Sequence, residues 1–567
     1  MPRRTGIWSQ SVVLEMLFLF LALTLALSTG ITATAHLFWP YDVDLFRDIA
    51  SARTIADGHW HADPYYAGEY LWYNPLVPSL VAVLSWISNL DVPLVYTRAG
   101  AYLNLLPALA FYALVRAWFG AVPAAAALTT FLFVAPRGAQ PWVTATYTPW
   151  LFASSFSQAF FYLSVLCWLS VRRKATTIGR LTLALTLGLA LLSHAAPALL
   201  FVLVLVVDQA RRIHRAHRQE SRASVRALVW EFALIVGIAA VISLPLTWWI
   251  AGHYHLQVQN PLPAQWQYDL LTLEHVRGFL MSHATPATAL AIVGAIALWR
   301  RPAHQESLTV LWIWTFLSIA LVGRGYLVQL APWTSSFLPS PVPDYHYLLY
   351  LRALINIFAG YGFIIIIKQL VDLTRRLTSG RRRVESAESL DRQDDSRGSD
   401  FDPSSIWTLR LGYLLLAIAV AATAPRLAKR ADFSSAVREA NAFSTKTSYS
   451  AIYQWIRTSV GSEAVFLASN EIGQFVIGPA GGKLVAVDPY FSNPYVDYLS
   501  RGRDRQLLFE RLARSDRNEF CSLANRYRVR FVVSDPTVPL PLHGISIVEP
   551  VFHHEELRIW AVRGCSY

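Results

Sequence analysis

Three carboxylates, Asp42, Asp44 and Asp48, follow directly on the first long apolar run of the chain. A carboxylate held where membrane meets water can take a proton from a hydroxyl. A reaction that expels a phosphate at that boundary also needs a cation or metal ion on the departing oxygen. A lipid-phosphate sugar donor presents its sugar there. Asp42 and Asp44 are therefore candidate catalytic groups, and Asp48 is a candidate substrate contact. The competing reading makes all three solvated charges that cap a helix.

Positive charge near such a site has several candidate sources. Arg352 lies at the start of the apolar run 346–370, behind Asp344, His346 and Tyr350. An Arg entering a bilayer is costly unless it is paired or meets an anion, so Arg352 and His346 are candidates for holding phosphate. The alternative for Arg352 is snorkelling or pairing with Asp344. Arg324 and Arg98 are weaker candidates. His194, in Leu192-Ser193-His194-Ala195, is read either as a phosphate contact or as a hydrogen bond between helices. The segment 251–284 mixes His253, His255, Trp266, Tyr268, Asp269, Glu274 and His275, which suits sugar stacking and an interfacial aromatic belt equally. No Cys/His spacing of metal-site type occurs. A divalent cation on Asp44 stays open as a cofactor.

The elements that must position these groups follow from composition. Of 567 residues, 54% are hydrophobic and 15% charged, against about 25% charged in soluble domains. Mean hydropathy is +0.36. An ordinary soluble enzyme and a disordered chain are both excluded. Apolar runs at 11–36, 75–90, 99–118, 120–136, 150–171, 179–194, 196–208, 228–250, 285–299, 307–323, 346–370 and 407–424 approach the length that crosses ~30 Å of hydrocarbon. The run from Ser11 to Phe38 is too long for a signal peptide and reads as the first span. After Asp44, the apolar positions Leu45, Ile49, Ala52 and Ala56 have helical spacing. They predict an amphipathic helix lying flat on the membrane surface, started by Asp42 and Asp44 and stopped by Gly58.

The net charge of +12 does not point to nucleic acid, because the basic residues flank apolar spans. Arg172-Arg173-Lys174, Arg211 to Arg226, Arg300-Arg301 and Arg375 to Arg383 mark cytoplasmic ends. This places 137–149, 251–284, 324–345 and everything after 425 outside. Twelve crossings from a cytoplasmic N-terminus would leave the tail inside. The alternation therefore calls for eleven or thirteen, with 75–90 or 120–136 as a segment that does not cross fully. Residues 373–406 read as a polar cytoplasmic linker, 407–424 as the last span and 425–567 as an extracytoplasmic α/β domain. In that domain β-like runs are expected at 464–468, 484–488, 531–534, 545–551 and 557–562, with a helix over 505–514. Cys521 and Cys565 both lie there and can pair if the tail is outside. Only five of the 49 basic residues are Lys, as in GC-rich genomes, which points to a bacterial plasma membrane. The fold class expected is mainly α: a polytopic bundle of about 11–13 transmembrane helices with residues 1–372 as its main module and 37–75 as the first outside loop.

The order of features resembles the GT-C superfamily of polytopic glycosyltransferases, which includes the protein O-mannosyltransferases and the aminoarabinose transferase of lipid A. Its members carry an acidic residue or pair after the first span. A helix ending in a Gly-aspartate/histidine-Trp-type turn follows, then a Gly and an aromatic–x–Pro stretch. Asp42, Gly58-His59-Trp60, Gly68 and Tyr73-Asn74-Pro75 fall on these landmarks. Two positions depart: the second acidic position holds Val43, and Asn74 stands where many relatives have a phosphate-holding Lys. Another cation would then have to serve.

The resemblance implies transfer of a sugar, with inversion, from a polyprenyl-phosphate donor to a hydroxyl of an extracytoplasmic glycan, lipid or protein. It makes Tyr73 and Asn74 candidate substrate contacts. A transporter or lipid-linked-sugar flippase is the alternative, but it would place ionisable residues deep in spans and repeat its halves. Here charge keeps to span ends and no repeat stands out. A non-catalytic assembly or sensor protein is the third reading.

Overall fold

The computed structural model describes residues 5–135, 145–219, 222–265, 274, 277–278, 281, 284–300, 306–336, 342–385, 406–540 and 546–565. Within the segment 251–284, Trp266, Tyr268, Asp269 and His275 lie outside the described residues, as do 137–144 and most of the linker 373–406.

Among the described residues seven segments are long and apolar enough to cross a membrane: Ser11–Thr34, Val92–Phe119, Ala153–Arg173, Arg222–Ile242, Leu308–Leu330, Asp344–Thr374 and Thr408–Ser444. Four shorter apolar helices join them. The first elements are α1 (Thr5–Thr34), α2 (Val43–Ala56), α3 (Leu76–Ser88), α4 (Val92–Leu103), α5 (Leu105–Phe119) and α6 (Ala121–Phe133). After them come α7 (Ala153–Arg173), α8 (Thr177–Ser193), α9 (Ala195–Arg218) and α10 (Arg222–Ile242). Apolar side chains stand exposed along α1 (Val13, Leu17, Phe20) and α10 (Val229, Trp230, Val241), the surface expected to face lipid.

The two segments singled out by the crossing count are α3 and α6. Each has 13 residues, about 20 Å of helix, short of a full crossing. α3 packs against α2, and α6 is buried along nearly its whole length. Between α4 and α5 the helix breaks at Asn104, whose amide donates to the carbonyls of Thr148 (2.9 Å) and Trp150 (2.7 Å). That bond draws the 147–152 segment against the bundle. Helices Pro286–Trp299 and Leu348–Glu385 meet backbone to backbone, because Gly294 and Gly362 leave no side chain between them.

The C-terminal domain carries a five-stranded sheet of order β2-β1-β3-β5-β4: β1 (Val465–Leu467), β2 (Lys483–Leu484), β3 (Val529–Ser534), β4 (Val548–His554) and β5 (Leu557–Val562). β1 runs parallel to β2 and β3, and β5 antiparallel to β3 and β4. One face is covered by the domain's own helices, Tyr498–Ala513 and Arg517–Tyr527, through Leu508, Leu512, Phe520 and Ala524. The other face is covered partly by the domain's own Tyr449, Ile452, Tyr453 and Ile456 and partly from outside the domain: Trp39, Phe46, Ala50, Tyr65 and Tyr66 form one core with them and with Phe466, Val533 and Ile559. Cys521 and Cys565 are disulfide-bonded.

Most expected strands recur within a few residues. The helix expected over 505–514 starts earlier, because the Asp497 carboxylate caps it by accepting the Ser500 N–H at 3.0 Å. The strand expected over 545–551 lies at Val548–His554, paired by β5.

Candidate active site

Asp42 is the residue that starts α2. Its backbone is extended, and its Oδ1 accepts the N–H of Asp44 at 2.9 Å, which satisfies one of the free donors of the first turn. At the other end Gly58 takes φ +93, a conformation that side chains disfavour, and the chain turns away. The apolar positions Leu45, Ile49 and Ala52 pack on α3 and α4 as the helical spacing requires.

α2 does not lie with one face in water. Every residue from Leu45 to Thr54 is buried. The face expected to be solvated is covered by the C-terminal domain and by Tyr65 and Tyr73. That correction changes the meaning of the charged residues, since a buried charge must be paired.

Arg47 is the hub of the result. Its guanidinium meets Asp44 at 2.8 Å and Asp48 at 2.9 Å and lies 3.8 Å from the centre of the Tyr73 ring. Asp48 also accepts the Tyr96 hydroxyl at 3.0 Å, so both of its oxygens are engaged and it serves to hold Arg47. Asp44 keeps 42% of its side chain exposed. Asp42 is partly buried. Burial, and next the charge of Asp44, push its carboxyl up to about 7. Tyr41 beside it is pushed far above the usual phenol range by burial and then by Asp42.

The turn Asp344–Tyr347, which precedes helix Leu348–Glu385, closes the other side. Tyr345 lies within electrostatic range of Asp44, Tyr73, Arg47 and Asp42, and His346 within range of Asp44 and Arg47. The His346 ring stacks on Tyr345 at 4.3 Å and lies 4.7 Å from the His194 ring. His194 Nδ1 accepts the N–H of Ala196 at 3.2 Å and so starts α9. A neutral His194 therefore carries its proton on Nε2. His346 Nδ1 faces the carbonyl of Pro343 at 3.0 Å and must donate to it.

Of the residues singled out from sequence, Asp42, Asp44, Asp48, Tyr73, His194 and His346 thus share one neighbourhood. Asn74 adjoins it but its side-chain amide donates to the Leu191 carbonyl at the end of α8, a helix tie. Arg352 belongs elsewhere: it donates to the Val134 carbonyl, and the charge that acts on it is Arg430. Arg324 is paired with Asp344, and Arg98 donates to the Leu37 carbonyl at 3.1 Å. Arg47 was missed from sequence, although Asp44 three residues before it and Asp48 directly after it are a legible signal. Among the described residues no three His, Cys, Asp or Glu side chains gather as a metal site.

The C-terminal domain clamps this loop. Lys483, with no exposed surface, donates to the Asp63 carbonyl at 2.6 Å and meets Glu463 at 3.1 Å. The Asp63 carboxylate accepts the N–H groups of Tyr65 (2.7 Å) and Tyr66 (2.8 Å) and the amide of Asn493 (3.0 Å). Arg457 meets Asp57 at 2.8 Å, and Tyr453 donates to Asp91 at 2.7 Å.

A bundle of apolar helices, a buried acid-started helix after the first span and a C-terminal α/β domain closed over it make up a fold that recurs in solved structures. The chain is similar over nearly its whole length to ArnT from Cupriavidus metallidurans bound to undecaprenyl phosphate. The TM-score is 0.57 at 16% identity, covering 96% of this chain and 97% of that one. The apo state of the same protein gives 0.56 at 15% identity, with the same coverage. A likeness to the oligosaccharyltransferase of Archaeoglobus fulgidus in the apo form covers 92% of this chain and 69% of that one, with a TM-score of 0.48 and 13% identity. No protein-family profile matches the sequence, and no curated protein matches it.

Proposed function

We propose that this chain is an integral-membrane glycosyltransferase that moves a sugar from a polyprenyl-phosphate-linked donor to an acceptor hydroxyl on the non-cytoplasmic side. The observation that carries the reading is Asp42 set beside Asp44, which Arg47 holds, next to Tyr73, Tyr345 and two histidines, at one end of an apolar bundle of GT-C fold. The ArnT structure of the same fold is one with undecaprenyl phosphate bound, which supports a lipid-phosphate donor.

In this reading Asp42 takes the proton of the acceptor hydroxyl as its oxygen attacks the anomeric carbon. The bond from that carbon to the phosphate oxygen breaks, and the lipid phosphate departs. A base that titrates near 7 is matched to this work. Arg47 fixes Asp44 and supplies positive charge beside the site. The Nε2–H of His194 offers a further contact to the departing phosphate, while His346, whose proton is given to the Pro343 carbonyl, packs between His194 and Tyr345. Arg352 is left out of this site, given its own neighbourhood. Asp44 remains the place where a divalent ion would bind if the reaction uses one.

Sidedness is argued from the helix directions. α7 starts at Ala153, beside the site, and ends in Arg172 and Arg173; α9 starts after His194 and runs to Arg215 and Arg218. The basic ends lie away from the carboxylates, and basic ends favour the cytoplasm. The Cys521–Cys565 bond fits an oxidising compartment for the C-terminal domain. A bacterial plasma membrane suits both. The acceptor is then a glycan, lipid or protein of the cell envelope.

The test is reconstitution of the full chain in vesicles with a polyprenyl-phosphate-linked sugar and envelope extract. Sugar joined to acceptor, with release of the lipid phosphate, supports the reading. Movement of the lipid-linked sugar across the vesicle without product would replace it by a flippase.

A further inference from the structure

A cavity of about 990 Å³ opens beside the turn between helices Ile406–Leu427 and Ala431–Ser444. Its apolar wall is the end of α6, Phe133 and Val134, and the start of helix Pro286–Trp299. Its polar wall carries Arg426, Lys429, Arg430 and Arg438 against a single carboxylate, Asp432. Asp432 is taken by Arg430 at 2.7 Å. Arg426, Lys429 and Arg438 are exposed and make no ion pair among the described residues.

Two further observations ask for an anion. Arg352 is fully buried behind Val134. One of its nitrogens donates to the Val134 carbonyl, while Nε and Nη1 find no hydrogen-bond partner among the described residues. A buried guanidinium is costly unless an anion answers it, and the charge that acts on it is another cation, Arg430. Helix Pro286–Trp299 also turns its first residues to the cavity. The Thr285 hydroxyl there accepts the Thr288 N–H at 3.3 Å and shares a hydrogen bond with the Thr288 hydroxyl at 3.2 Å, and the start of a helix attracts negative charge.

We propose that this cavity binds the phosphate group of a membrane lipid, as a site separate from the Asp42 centre. The cations stand where the last apolar helix ends, the level at which lipid headgroups lie. The apolar wall below them takes the first part of a chain. A volume near the upper end of the usual ~300–1,000 Å³ range for small-molecule sites leaves room for a headgroup and several methylenes. The proposal holds whether or not the chain is a transferase. It does connect to that site: the Asp432 carbonyl accepts the Trp150 indole N–H at 2.6 Å, and the Trp150 ring lies 4.9 Å from Tyr41, the neighbour of Asp42. The side chains of Trp150 and Tyr41 thus stand between a second lipid phosphate and the carboxylates.

The full chain in neutral detergent is labelled with a photoreactive dodecyl phosphate, and the labelled peptides are mapped. Labelling is expected within 423–438. Since each Lys or Arg contributes roughly five-fold to anionic-lipid binding, the triple variant Arg426→Gln/Lys429→Gln/Arg438→Gln should raise the half-labelling concentration there about 100-fold. Asp42→Asn should leave it unchanged, and Arg426→Lys/Arg438→Lys should keep it close to the parent. The three replaced side chains are exposed, and gel filtration checks the fold. Unchanged labelling in the triple variant overturns the site. Loss of labelling in Asp42→Asn overturns its separateness. Inorganic phosphate competing as well as unlabelled dodecyl phosphate overturns the lipid as the source of the group.

Discussion

The Arg47 guanidinium stacks on the Tyr73 ring at 3.8 Å, and so joins the two ends of the loop between the first span and α3. A cation in that position is held by a ring on one side and by Asp44 and Asp48 on the other. It cannot move without moving the carboxylate at the mouth of the site.

Arg47→Ala leaves Asp48 buried without its cation and should cost about 3–5 kcal/mol of stability. Arg47→Lys keeps the charge but loses the planar fork and the ring contact. Lysine should therefore recover most of the stability yet lower kcat/KM by ~100-fold, the size expected when a reacting group shifts by about an ångström. Thermal unfolding in detergent together with transfer kinetics separates the two effects.

The acid limb of the pH profile belongs to Asp42 in this account. Its base form acts, so turnover should rise with pH through about 7. The Asp44 charge is the second cause of that raised value, after burial. Asp44→Asn removes the repulsion and frees Arg47, and both changes favour the ionised form of Asp42. The limb of the residual activity should move to lower pH. A limb that stays in place would assign it to another group.

What the sequence made legible here was local. The Asp42 cap, the α2 spacing and the Gly58 stop are all written within one stretch of chain, and α2 forms where they say. The solvent side of α2 was misread, because its cover comes from residues some 400 positions away, such as Tyr453 and Arg457. Arg47 was passed over for the same reason. Arg352 and His346 lie on one continuous stretch and looked like partners. A helix turns between them, and Arg352 finds Val134 instead.

Lys483 gives a test of the clamp. Lys483→Met removes the donor to the Asp63 carbonyl and should cost about 1–3 kcal/mol for the acceptor left unpaired. Hydrogen exchange should rise over 54–69 and stay slow in β3 and β5. Equal loosening of the whole domain would show that Lys483 supports the sheet and not the loop.

The Cys521–Cys565 bond closes a sequence separation of 44. Replacing both with Ser should lower stability by about 2–5 kcal/mol, read as a lower Tm. In intact cells an impermeant thiol reagent should label these two positions only after an impermeant reductant is added. Labelling without reductant, or none in either case, would contradict an oxidised domain on the non-cytoplasmic side.

The most direct measurement is the transfer rate of Asp42→Asn, expressed and folded like the parent, with a polyprenyl-phosphate-linked sugar and the acceptor identified by reconstitution. Asparagine still fits the helix start, so the fold should stand while general-base help worth 10²–10⁴-fold is lost. A fall of at least ~100-fold is the predicted result; transfer at the parental rate would contradict the assignment of Asp42 as the base.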